Sequence, residues 1–228
     1  PWYHGQWNRG KGDAMGEAQF GFDTSDWFQH QVLLPFFKQH LKDEQSAALA
    51  QATMFETGAN RWRQFAQWPP KEGKETTLYF AARQQLRSQP DSQGGFDSYI
   101  SDPAKPVPHS AKVSRGWDKP YMAEDQRFAA RRTDVLVFET EPAQQDMTLA
   151  GPIDINLWVS TDQGDADFVV KLVDVFPGKT FDDDKVDANT GNRHELVRWG
   201  VMRGRFRDSM SQPKPFEAGK PTLVSFQL

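Results

Sequence analysis

His4 comes first among the groups able to do chemistry. It lies in Pro1-Trp2-Tyr3-His4-Gly5-Gln6-Trp7, and Gly5, Gly10, Gly12 and Gly16 make this stretch too glycine-rich for a helix. An imidazole titrating near pH ~6.5 can pass protons at neutral pH, but a lone histidine serves structure as readily. Residue type alone leaves both roles open. The other histidines are His30, His40, His109 and His194. His30 and His40 stand about 80° out of phase on a helix, so they make no zinc pair.

Other groups carry two readings each. Asp182-Asp183-Asp184, continued by Asp187, Asn189 and Gly191, offers hard oxygen ligands to calcium, although the spacing departs from an EF-hand loop. The alternative is a solvated acidic hairpin. Arg203, Arg205 and Arg207 either bind an anion or line an ion-paired strand face. Trp62 and Trp68 either stack on a substrate ring or fill a core between domains. No G-x-S-x-G elbow, H-E-x-x-H pair, phosphate-binding loop or dinucleotide fingerprint occurs. The sequence calls for no cofactor and no metal.

Composition excludes several classes. The chain has 228 residues, enough for one large domain or one and a half. Its 27 basic and 31 acidic side chains give a net charge of −4, with no basic run to attract nucleic acid. No stretch approaches the ~20 apolar residues of a membrane span. Without cysteine there is no disulfide, thiol nucleophile or thiolate metal site, and the compartment stays undecided. Hydrophobic residues reach 37%, and eight Trp and seventeen Phe can still fill a core.

The elements that must position these groups begin with a helix. Asp23-Thr24-Ser25-Asp26 supplies cap side chains, and Phe28, Val32, Leu33, Phe36, Phe37 and Leu41 recur at helical spacing to about Asp43. Pro35 inside that pattern predicts a kink or a break. Strands are predicted at Thr53–Glu56, Thr76–Ala81, Val135–Phe138, Ile153–Val159, Phe168–Phe176, Leu196–Arg207 and Thr222–Leu228, with Tyr121–Ala130 as a short helix. Ile153, Ile155, Leu157 and Val159 alternate with polar residues, while Trp158 falls on the polar parity. Gly200 and Gly204 predict a bulge or bend in the arginine-bearing strand. Ser88–Arg115 is long, polar and proline-rich. Both ends read as internal to a longer chain: Pro1 is no start methionine, and the last strand has no turn after it. Many strands with long connections and one early helix point to a β-sandwich of jelly-roll type.

Several motifs resemble one family. They are Pro1-Trp2-x-His4-Gly5-Gln6-Trp7, Arg9-Gly10-x-Gly12-Asp13, Phe20-Gly21, Leu34-Pro35-Phe36-Phe37 and Thr57-Gly58-x-Asn60-x-Trp62. They continue with Ser101–Pro108, Asp125-Gln126-Arg127, Asp134–Pro142, Asp167–Val175 and Arg203-Gly204-Arg205-x-Arg207. Together they are similar to the α-amino-acid ester hydrolases, in the serine hydrolase group that includes cocaine esterase and the X-prolyl dipeptidyl peptidases. The resemblance covers essentially the whole chain.

It implies a mainly β fold: a jelly-roll, galactose-binding-like C-terminal domain over 75–228, incomplete at its end. Residues 1–70 would be the tail of an α/β-hydrolase domain. His4 would be the base of a Ser-His-Asp triad whose serine and aspartate lie upstream, outside this chain. The implied substrates are α-amino-acid esters and β-lactam amides, with X-prolyl peptides or cocaine-like aryl esters as alternatives. The implied partners are a small ester or amide, the rest of the hydrolase domain with its cap, and a homo-oligomer. No nucleic acid and no membrane is expected, and the family suggests a periplasmic or secreted protein. A free-standing jelly-roll binding module is the alternative of another class.

Overall fold

A computed structural model describes residues 1–42, 49–116, 119–178 and 191–228. They divide into two units, Pro1–Ala150 and Gly151–Leu228. The chain is mainly β: the described strands pair as small two-stranded sheets, accompanied by one long helical stretch in the first unit.

That stretch comprises α1 (Thr24–Phe28), a π-helical turn (Gln29–Leu33) and α2 (Leu34–Lys42). Asp23 caps it, its Oδ1 accepting from the Asp26 N–H at 2.9 Å. Pro35 has no N–H to offer, and its ring crowds the carbonyl one turn back. The chain answers with the wider π turn just before it, closed by the Leu34 N–H on the Gln29 carbonyl. The predicted break at Pro35 is therefore a π bulge through which the helix continues.

Three short strand pairings and a single α-helical turn follow in the first unit. β1 (Ala14–Met15) and β2 (Ala18–Gln19) form a minimal hairpin. β3 (Ala52–Glu56) pairs antiparallel with β4 (Arg61–Phe65), Glu56 facing Arg61. The turn between them needs left-handed backbone at Gly58 (φ 82°) and Asn60 (φ 49°), the two turn residues that tolerate it best. Asn60 also donates through Nδ2 to the Gln19 carbonyl at 2.9 Å, joining the two hairpins. Glu56 accepts from Arg61 Nε at 2.7 Å and Thr148 Oγ1 at 2.9 Å, and these bonds hold its carboxyl below the usual range. β5 (Tyr79–Ala81) pairs with β6 (Gln85–Arg87), and α3 (Arg127–Ala130) is a single turn.

The predicted strand at Val135–Phe138 has no ladder among the described residues. The run reaches a sheet only at Glu139, which bridges Gln85. Its apolar side chains pack without pairing, as the Phe138 ring does on Phe80 at 4.4 Å.

In the second unit β7 (Asp154–Val159) pairs antiparallel with β10 (Thr222–Gln227), and β8 (Asp167–Val175) with β9 (His194–Arg203). The predicted alternation holds along β7: Ile155, Leu157 and Val159 face in, Asp154, Asn156 and Trp158 face out. Leu196, Phe216 and Val224 are the buried centre. β9 carries its bulge at Val197, between the pairs Leu172–Arg198 and Val173–Leu196, and not at Gly200.

β9 stops at Gly204 because there the chain must touch its neighbour. The Gly204 N–H donates to the Ala166 carbonyl at 2.8 Å. A Cβ on Gly204 would lie 2.5 Å from Phe216 Cε2, and closer still to the Ala166 oxygen. Backbone on one side and a buried ring on the other cannot both yield. Gly204→Ala is expected to cost about 1–3 kcal/mol, the usual penalty of overpacking. Urea unfolding checks this, and an unchanged midpoint would contradict it.

Candidate functional site

The His4 segment is held from several sides while His4 itself stays exposed. Residues Tyr3 to Gln6 form a tight turn, the Gln6 N–H donating to the Tyr3 carbonyl at 3.1 Å. Gly5 has φ 81° and ψ 2°, the values of the third residue of a type II turn, where glycine or asparagine is favoured. His4 sits at the corner before it. The Gln6 side chain closes the turn a second time: Oε1 accepts from the Tyr3 N–H at 3.2 Å and Nε2 donates to the Ala14 carbonyl at 3.0 Å.

A second set of bonds fixes the flanking tryptophans. Trp2 Nε1 donates to Thr24 Oγ1 at 2.8 Å, and the Thr24 hydroxyl donates on to the Gly12 carbonyl at 2.5 Å. Thr24 is wholly buried at the start of α1. Gln29 Nε2, in the π turn, donates to the Trp7 carbonyl at 2.7 Å. The Trp2 ring packs on Phe28 at 5.0 Å and Trp62 at 5.5 Å, and Trp62 stacks on Trp27 at 4.8 Å. The His4 imidazole lies beside the Trp7 ring, with centroids 6.0 Å apart and planes 25° apart. Among the described residues neither ring nitrogen of His4 is hydrogen-bonded. An imidazole so displayed can exchange a proton with a group presented to it.

The remaining candidates do not join this site. His30 Nδ1 lies 3.0 Å from the Asp26 carbonyl, one turn back on its own helix. His40 packs on Phe36 at 4.6 Å and His109 on Tyr121 at 4.9 Å, while His194 begins β9. Among the described residues no three His, Asp or Glu side chains gather as a metal site. The acidic run Asp182–Asp184 with Asp187 and Asn189 lies outside the described residues. Trp62 is core: Trp2, Trp27, Phe28 and Phe55 surround it. Trp68 is partly exposed beside Phe65.

The arginine row is structural. Arg203 pairs with Asp167 at 3.4 Å. Arg205 Nε donates to Asp165 Oδ2 at 2.6 Å, which holds that carboxyl below its usual range. Arg207 lies over the Phe216 ring at 4.3 Å and donates to the carbonyls of Gly204 and Lys214 at 2.9 and 2.8 Å. Each side chain of the row thus has a partner within the chain, which favours the ion-paired reading.

Sequence reasoning missed Gln6, Thr24 and Gln29 as the residues that hold the segment.

Residues 40–228 match the family of the X-Pro dipeptidyl-peptidase C-terminal non-catalytic domain. His4 precedes the matched residues. The chain is 28% identical over its full length to cocaine esterase of Rhodococcus sp. (strain MB1 Bresler), of which it spans 39%. An α-amino acid ester hydrolase structure matches the whole chain with TM-score 0.87 and 37% identity, over 38% of that protein. An aminopeptidase structure from a marine sediment Thaumarchaeota archaeon matches it with TM-score 0.90 and 33% identity, over 37% of its length. The chain thus spans well under half the length of each of these relatives. It belongs to the family of X-Pro dipeptidyl-peptidase C-terminal non-catalytic domains found in this group of hydrolases.

Proposed function

We propose that this chain is the C-terminal part of a serine hydrolase that cleaves, or transfers the acyl group of, α-amino-acid esters and β-lactam amides. In this reading His4 is the general base of a Ser-His-Asp triad. Residues 1–70 close the α/β-hydrolase domain, and 75–228 form its jelly roll. The observation that carries the reading is the exposed imidazole on a doubly closed turn, ahead of the matched non-catalytic residues. The likeness to an α-amino acid ester hydrolase supports that substrate class, and the likeness to an aminopeptidase supports an X-prolyl peptidase as the second reading.

The chemistry follows from what imidazole does. A serine hydroxyl from the rest of the hydrolase domain attacks the ester or amide carbonyl. His4 takes the hydroxyl proton and then delivers it to the leaving group, so that no free alkoxide or amide anion forms. A rigid turn suits that task, because proton transfer needs donor and acceptor within about 3 Å. The partner surface is also consistent. On α2, Leu34 (47% exposed), Phe37 (46%) and Leu41 (74%) share an apolar face fit to pack against the rest of the hydrolase domain.

The residues 1–228 expressed alone should hydrolyse no ester, since a base without its nucleophile opens no covalent route. A p-nitrophenyl ester assay with a fluorophosphonate probe tests this. Neither turnover nor labelling is expected. Probe-sensitive turnover by the purified chain would mean that it holds its own nucleophile and would overturn the reading.

A further inference from the structure

We propose that Gln6 is a positioning residue for His4: its side-chain amide clamps the turn whose corner presents the imidazole. This rests on the reading of His4 as the general base.

The clamp has two arms. Oε1 takes the Tyr3 N–H at 3.2 Å, across the turn and immediately before His4. Nε2 gives to the Ala14 carbonyl at 3.0 Å, which ties the turn to β1. Gln6 is 8% exposed, so both bonds form away from water, where an unmet amide is costly. The turn's own backbone bond, from the Gln6 N–H to the Tyr3 carbonyl, runs beside the first arm. Tyr3 and Gln6 are thus joined twice, and the backbone of His4 and Gly5 has little freedom between them. His4, by contrast, has no hydrogen bond of its own among the described residues. Within this segment its direction is set by the turn and by the Trp7 ring beside it. An amide bears both an acceptor and a donor, and only a side chain of this length and type serves both arms.

Loosening the clamp should misplace the base without touching substrate. An error near 1 Å in a reacting group costs on the order of 100-fold. In the intact protein carrying this chain, Gln6→Met keeps the volume and removes both bonds. It should lower kcat about 10- to 100-fold with KM nearly unchanged. The decisive readout is a double-mutant cycle with His4→Ala. Once the imidazole is gone, Gln6→Met should cost nothing further. A general loss of folding would instead lower activity by the same factor in both backgrounds.

A second pair of variants reaches the turn without the amide. Gly5 needs φ 81°, which Asn tolerates and β-branched Val does not. A Cβ there meets only the Arg9 side chain at 3.6 Å, an ordinary contact. Gly5→Val should therefore reproduce the kcat loss, and Gly5→Asn should recover most of it. Unchanged kcat in Gln6→Met, or an equal loss with and without His4, would overturn the clamp while leaving His4 as the base. Normal turnover in His4→Ala would overturn the base, and the clamp with it. If Gln6→Met does not fold, equal kcat in Gly5→Val and Gly5→Asn would still refute the proposal.

Discussion

Replacing His4 by alanine in the intact protein should lower kcat by about 10²- to 10⁴-fold, or more where the triad acts as a unit, and change substrate binding far less. On the proposed reading the imidazole handles protons in flight, so its contribution is largest in the transition state and small in the bound ground state. The serine would keep its place but lose its activation. The pH profile of kcat/KM carries the same signature. A neutral base is needed for attack, so activity should fall on the acid side of the profile, where the base is protonated. His4→Ala should abolish that acid limb. His30, His40, His109 and His194 are the controls, each replaced by Gln. The first three rest on local helix or ring contacts, and none of the four lies on the turn of His4. Loss of the limb in one of these, with near-normal turnover in His4→Ala, would move the base elsewhere.

Gly12→Ala should destabilise the first unit by about 2–5 kcal/mol. Two costs add. Gly12 has φ 66°, and an L residue there pays about 1–2 kcal/mol. The new methyl would also lie 2.5 Å from Ser25 Oγ and 2.6 Å from Thr24 Oγ1, and closer still to Trp2 Nε1. Overpacking of a buried site adds about 1–3 kcal/mol. Trp2 Nε1 and Thr24 Oγ1 carry the bond chain to the Gly12 carbonyl, so the substitution strikes the support of the His4 segment directly. Gly10→Ala is the matched control, because nothing lies within 4 Å of its Cβ position. Equal unfolding midpoints for the two variants would show that the packing around Trp2 gives way easily.

The sequence made some of this legible and hid the rest, for physical reasons. The long helix could be read from its cap and its apolar period, because Asp23 and the spacing of Phe28, Val32 and Phe36 are local signals. Alternation along β7 was equally local. Pro35 announced an irregularity but not its form, since a kink, a break and a π turn all relieve the same clash. β1 and β2 were invisible, because two residues have no period. β4 was missed although Trp62 and Phe65 lie on it: Arg61, Arg63 and Gln64 break the apolar run, and the strand exists through its pairing with β3. Val135–Phe138 erred the other way, a half-buried apolar run without a ladder among the described residues. The bulge in β9 was foreseen at a glycine, yet it falls on Val197, which is half exposed and free to swing out. His4 was legible as a candidate from its motif. What holds it was not, because Gln6, Thr24 and Gln29 act through bonds to backbone carbonyls and hydroxyls that only the folded chain brings near.

The central claim is that His4 serves a serine supplied by another part of the same hydrolase. It is tested most directly by a crystal structure of the intact protein after reaction with a fluorophosphonate. The phosphorus should sit on one serine outside the residues of this chain, with that serine's Oγ about 3 Å from a ring nitrogen of His4. An adduct on a serine within residues 1–228, or a different histidine beside the modified serine, would contradict the account.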